Sequence, residues 1–343
     1  MRRRTDVNLS DTASLLLAAM VFDAFIGDPR WLYRVVPHPT VVVGRVLAFC
    51  DGRLNRPAFG RAGRRAAGAI STVAVVASCG VLAALISAGL SGWPVGFWVE
   101  ALLVSVLIAQ NSLYRHVVDV ARALERDGVD AGRSAVAHIV GRDPESLDAH
   151  GVARGAVESL AENFSDGVVA PVLWGLLLGL PGIAAYKALN TADSMIGHHD
   201  HRYRDFGWAA ARLDDVANWV PARVAGVLLA VAGAPSKAGS AMHGLKIMWR
   251  DGGTHRSVNG GYPEGAMAGV LGLRLAGPRR YRGVVTADPW LGDGAAEATA
   301  ADIRRALRVY VGACLLLAVL VGALFAALWF LAGAPVPASN AMA

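Results

Sequence analysis

Charge is the scarcest feature of this chain. Asp, Glu, Lys and Arg make up 17% of its 343 residues, while 54% are hydrophobic. Soluble domains carry about 25% charged residues. With a mean hydropathy of +0.41, the shortfall places the chain in the membrane class, although length alone allows several soluble domains. Cysteine is nearly absent. Cys50, Cys79 and Cys314 stand far apart. No pair has metal-ligand or redox-motif spacing, so a structural disulfide is not expected and buried apolar thiols are. The G-x-x-x-x-G-K-[ST] phosphate loop is missing, as are a G-x-G-x-x-G after a strand and a G-x-S-x-G. The familiar soluble nucleotide folds are therefore unsupported. No nucleic-acid motif accompanies the net charge of +6, and in this class excess Arg marks cytoplasmic loops. The N-terminal MRRR and the apolar stretch after it imitate a leader. No small-residue cleavage site precedes FIGDPRW, so the segment is expected to be retained.

Long apolar runs are what the chain does have. A bilayer-crossing helix needs roughly 20 mostly apolar residues. Ala66–Gly92 and Val309–Ala334 contain no charged residue, and Val95–Ser112 contains only Glu100. The SGWPVG turn between the first and third of these leaves room only for a tight helical hairpin. Val216–Ala234 is a further candidate, with Arg223 near one end. Residues 12–27 are short for a span and include Asp23. Val168–Tyr186 is apolar but interrupted by Pro181-Gly182, which predicts two half-helices entering and leaving from one side. Such a break at depth is tolerated where protein or a water-filled cavity covers it. The tip at Ser91–Val95 has no Lys or Arg and is assigned to the outer face. Amphipathic stretches such as VVDVARALE fill the intervals. The reading is an all-α polytopic membrane protein, a single domain over 1–343. It has about 4–6 transmembrane or re-entrant helices and amphipathic cytoplasmic helices.

Polar residues gather where these runs end. In AVESLAENFSDG, Glu158, Glu162 and Asp166 recur every four residues and share one helical face. Asn163 stands beside them, and the nearest cation is Arg154, a turn earlier. A solvated acidic face is the plain reading. It is weakened because the segment runs straight into VVAPVLWGLLLG, and acids at a membrane boundary usually serve a function. Further on, Asn190 and Asp193 lie three apart, and Asp214, Asp215 and Asn218 form a second set. Paired carboxylate and amide oxygens suit Mg²⁺, which takes one or two carboxylates plus phosphate oxygens. Asp193, Asp214 and Asp215 are the candidate ligands. Lys187, Arg204 and Arg212 offer charge to a phosphate or a substrate carboxylate, with Asp205 in the same basic loop. Helix capping is the plain alternative for such Asp and Asn residues. His198, His199 and His201 have no H-x-x-x-H or cysteine partner, so a solvated loop is expected rather than zinc. In SVNGGYPEGAMAGVLG, Gly260-Gly261 lets backbone approach a ligand. Pro263 and Glu264 open a helix, and Asn259 and Glu264 are candidate contacts. Asp28 and His38 sit at Pro-fixed turns in DPRWLYRVVPHPT and complete the set.

Together these pieces resemble one family, the CobD/CbiB cobalamin biosynthesis proteins, called adenosylcobinamide-phosphate synthases. The resemblance rests on DAFIGDPRW with VPHPTVVVGR, on AVESLAENFSDGVVAP, on ALNTADSMIG and RYRDFGWAAARLDDVANWVPAR, and on NGGYPEGAMAGVLGLRLAG. These run in order from Asp23 to Pro278. Two departures stand out. HHDH precedes RYRDFG where the family pattern has no histidine cluster, and SVN stands where a proline often precedes the Asn. The resemblance implies a cobalamin-pathway ligase in the cell membrane with a cytoplasmic site. It would join the free propionate of adenosylcobyric acid to the amine of (R)-1-aminopropan-2-ol or its phosphate. ATP and Mg²⁺ are implied, as are an acyl phosphate or acyl adenylate, contact with lipid, and association with other late enzymes of the pathway. Two other classes share parts of the pattern. A Mg-dependent intramembrane prenyltransferase-like enzyme would carry paired acids, but more long lipid-lined helices are expected of it. A non-catalytic transporter or scaffold would explain broken helices.

Overall fold

The structure, a computed structural model, describes residues 9–29, 32–140, 144–198, 200–234, 240–281 and 284–333. The MRRR segment, whose retention was expected, lies outside the described residues, as do His199 and Ala334. Helix dominates. α1 (Leu9–Phe25), α2 (Pro39–Leu54), α3 (Gly60–Leu90) and α4 (Gly96–Ser105) come first, followed by α5 (Gln110–Arg126), α6 (Gly128–Val136) and α7 (Ala149–Phe164). After them come α8 (Ala170–Ile196), α9 (Trp208–Ala217), α10 (Trp219–Ala232), α11 (Ala241–Asp251), α12 (Gly261–Leu271) and α13 (Ala300–Gly333). The only strands among the described residues form two antiparallel ribbons. β1 (Leu275–Ala276) pairs with β4 (Trp290–Leu291), and β2 (Arg279–Tyr281) with β3 (Val284–Thr286).

By length and hydropathy, Pro57–Leu90, Gly96–Arg126, Ala149–Ile196 and Ala300–Leu331 can cross a bilayer, and α9 with α10, bent by 47°, adds a fifth candidate. The all-α polytopic reading therefore holds. On α3, Ile70, Val81, Leu82 and Leu85 are all more than half exposed. That arrangement is costly in water and natural against lipid. α1 is the opposite case. At 17 residues it is short for a span, yet Ala13, Leu16 and Ala19 are fully or almost fully buried, and it packs against α4, α8 and α13. α13 joins the basic ADIRRALRVY stretch and the last apolar run in one unbroken helix.

Two predicted segments differ in detail. Val95–Ser112 is not continuous, because α4 stops at Ser105 and α5 starts at Gln110. Asp23 of α1 explains the restart. Its Oδ2 accepts the Gln110 N–H at 2.7 Å and the Asn111 N–H at 3.3 Å. These are first-turn amides with no partner of their own within the helix. An acid in an apolar stretch thus serves as a cap supplied from a neighbouring helix. Val216–Ala234 is also shorter, since α10 begins only at Trp219 after the bend.

The apolar run after Asp166 folds back on itself. Gly179 has φ 65° and ψ −152°, which breaks α8 just before Pro181. A straight helix would hold Asp166 and Tyr186 about 30 Å apart, yet the Tyr186 hydroxyl lies 3.1 Å from the Asp166 carbonyl. Gly80 of α3 packs against Pro181 and Ala185 so closely that a methyl group there would touch both. Leu90, the end of α3, lies ten residues farther on, so the turn stops about 15 Å short of it. The two half-helices inferred from Pro181-Gly182 are present, with the reversal at Gly179.

Candidate active site

The reversal brings together side chains that are distant along the chain. α7 carries Glu158 and Glu162. Ser165–Val169 then winds as a π turn before α8. The i→i+5 winding takes Asp166 off the stripe that a uniform α-helix would give it. Asp166 lies within electrostatic range of Glu162, Lys187, Asp193 and Asp214. Lys187 feels Asp166, Asp28 and Asp214. Its ammonium makes no ion pair or hydrogen bond among the described residues. Asp214 is buried, with Asn190 beside it, and its Oδ2 accepts from Asn218 Nδ2 at 2.9 Å. Asn218 Oδ1 in turn lies 2.8 Å from the Tyr186 hydroxyl. The polar knot therefore ties both limbs of the α8 hairpin to the α9–α10 bend.

Beside the knot opens a cavity of about 570 Å³ whose lining includes Glu158, Glu162, Asp193, Arg212, Asp215 and Glu264. Glu158 has a structural contact as well, because its Oε1 accepts the Ala276 N–H at 2.9 Å and holds that residue at φ 59°. Glu162 lies over Gly260, where a methyl group would come within 3.1 Å of its Oε1. Arg212 is bound to Asp215 at 3.0 Å. Asn163 is exposed and donates to the Ser159 carbonyl at 2.9 Å.

Other predicted residues lie elsewhere. Asp205 is buried between Arg61 and Arg65 of α3, at 3.4 and 3.5 Å. Arg204 is exposed on the turn before it. Asn259 bridges the Asp215 carbonyl and the Arg223 guanidinium, at 2.9 and 3.0 Å. Asp28 and His38 face one another at 3.9 Å, and Tyr33 donates to Asp28 at 3.1 Å. His38 caps α2, its Nδ1 accepting the Thr40 N–H at 3.2 Å. Burial lowers the His38 pKa against the opposing pull of Asp28. His198 reaches the cavity rim and His201 is exposed. Among the described residues no three Asp, Glu, His or Cys side chains converge closely enough to cage a metal.

His255 was not anticipated from the sequence. It lines the same cavity, its Nε2 lies 3.7 Å from Glu264 Oε1, and its Nδ1 accepts the Ser257 N–H at 3.1 Å. A lone histidine four residues before Asn259 carries no spacing signal, and only the fold brings it to Glu264.

A family model described as CobD/Cbib protein matches residues 16–310. The chain belongs to the CobD/CbiB family. It is 48% identical over 327 residues to a cobalamin biosynthesis protein CobD of Sinorhizobium sp, covering 90% of this chain and 97% of the relative. The proteins of the same name from Rhizobium meliloti and Rhodobacter capsulatus are 46% and 43% identical. They cover 88% and 92% of this chain, and 93% and 98% of their own lengths. No solved structure matches the chain. The CobD/CbiB match covers the hairpin, the knot and the cavity lining.

Proposed function

We propose that this protein acts in cobalamin biosynthesis as a membrane-embedded, ATP-dependent ligase. It would join the free propionate of adenosylcobyric acid to the amine of (R)-1-aminopropan-2-ol or its phosphate ester. The observation that carries this reading is the α8 hairpin, which places Asp166, Lys187, Asp193 and Asp214 around one point beside an acid-lined cavity. A carboxylate is a poor electrophile. Phosphoryl or adenylyl transfer to its oxygen makes a leaving group, and the amine then displaces that group to form the amide. Positioning and charge stabilisation supply most of the catalysis in phosphoryl transfer. That suits a site with acids, amides and one deep ammonium rather than a nucleophile.

Roles follow from residue type. Lys187 receives the carboxylate or the phosphate that replaces its charge. The acids lining the cavity would hold the amine, a cation at neutral pH, and Glu162 would orient it and take the proton that it must lose before it attacks. Mg²⁺ carried in with nucleotide would need only one or two protein carboxylates. Asp193 and Asp214 are the groups that would hold it, whereas Asp215 is engaged by Arg212. When bound, the ion would offset phosphate charge.

The test is a coupled assay on purified protein in detergent. ATP consumption should require both the corrinoid acid and the amino alcohol, with one amide formed per ATP used. Consumption that ignores either substrate counts against the ligase.

A further inference from the structure

A second polar cavity, of about 660 Å³, is formed by the first turns of α5 and the segment around Asp28. Its charged lining is Arg34, Arg115 and Arg122 against Asp28 and Asp119, with His116 beside them. Arg122 is matched to Asp119 at 3.6 Å, and Asp28 takes the Tyr33 hydroxyl and faces His38. Arg34 and Arg115 are left with no ion pair or hydrogen bond among the described residues. Asn111 also lines the cavity. Its Nδ2 donates to the Ala24 carbonyl at 2.6 Å, which fixes the orientation of the amide, and its buried Oδ1 has no partner. Tyr114 lines the same cavity and is 41% exposed.

Two guanidiniums unpaired among the described residues and an aromatic face match the parts of one ligand class. Guanidinium takes phosphate in bidentate fashion. The 570 Å³ cavity has the opposite character. Among its described lining residues, Glu158, Glu162, Asp193, Asp215, Glu264 and Asp288 stand against Arg212 and Arg256, a set suited to an amine or a phosphate-bound cation rather than to bare phosphate. Tyr33 lines both the basic cavity and the neighbouring apolar pocket that contains Lys187. We propose that the basic cavity binds a nucleoside triphosphate, with Arg34 and Arg115 on its phosphates. The nucleotide would thus be held apart from the amine and would reach the reaction from the Asp28 side. This rests on the ligase reading for the nucleotide's use, though not for its binding.

Both arginines are exposed, so Arg34→Gln with Arg115→Gln should leave folding intact. Binding of labelled ATP is measured without corrinoid or amine, in detergent and in nanodiscs with and without phosphatidylglycerol. The double variant should bind ATP about tenfold or more weakly, as expected for the loss of charge-assisted hydrogen bonds. Arg126→Gln, farther along the same helix, should bind as the wild type does. In turnover, the KM for ATP should rise by a similar factor with little change in kcat. Equal ATP affinity in the double variant and the wild type overturns the proposal. So does loss of retained phosphatidylglycerol in the variant with ATP binding unchanged, which makes the cavity a lipid-headgroup site. A protein that binds ATP through these arginines yet forms no amide leaves the site standing and refutes the ligase instead.

Discussion

At the scale of single residues, acids with similar sequence signals have different work. Glu158 lines the cavity but also holds a strained backbone, Asp205 neutralises two arginines, and Glu162 and Asp193 line the cavity. Glu162→Gln and Asp193→Asn should therefore keep the protein folded in detergent while lowering amide formation by about 100-fold or more, the usual cost of removing a catalytic or charge-stabilising group. Activity near wild type in both would return these acids to a structural role. His38 gives a pH-dependent signature. It caps α2 as a neutral imidazole whose pKa burial lowers from 6.5. In the pH range between the two values the unfolded chain binds more protons than the folded one, so stability falls as pH drops below about 6.5. Above that pH the residue contributes no slope. His38→Asn keeps a capping acceptor without titrating. Its Tm should fall less than that of the wild type between about pH 7.5 and pH 5.5, the range over which histidine titrates. Equal falls would assign the acid sensitivity to other groups.

At the scale of elements, the sequence carried the apolar runs and the break in the eighth helix, because both are local. Pro181-Gly182 marked the neighbourhood of the turn, but Gly179 makes it. A methyl group there would have room, its nearest neighbours lying 3.7 and 3.8 Å away. The cost of Gly179→Ala is therefore backbone strain, expected at about 1–3 kcal/mol in a denaturant titration in mixed micelles, with loss of activity as the limbs separate. A neutral substitution would mean that the reversal does not depend on this torsion. What was not legible depends on partners far along the chain. Asp23 caps a helix that starts 87 residues later. Asp205 meets Arg61 across 144 residues, and His255 meets Glu264 only because a loop folds under α12. The π turn at Ser165–Val169 also leaves no periodic trace, so equal spacing put Asp166 on a stripe that the structure does not keep.

At the scale of the whole molecule, one site built from α7, both limbs of α8, α9 and the 255–264 loop requires all of them to open on the same aqueous face. Single cysteines replacing the exposed Ala149, Arg204 and Val258 in a cysteine-free background should share one labelling side, and one at Gly92 should label from the other. Labelling of position 204 with position 92 would separate the cavity from its own walls. The hairpin also governs the order of assembly. During synthesis the segment from Ala170 to Tyr186 first presents itself to the insertion machinery as one apolar stretch. Asp166 is exposed to that machinery well before Lys187 and Asp193 have been made. Only after the second limb has returned does the ammonium come within range of the acid. A nascent chain halted before Lys187 therefore holds Glu158, Glu162 and Asp166 without the ammonium and the later acids that complete the site.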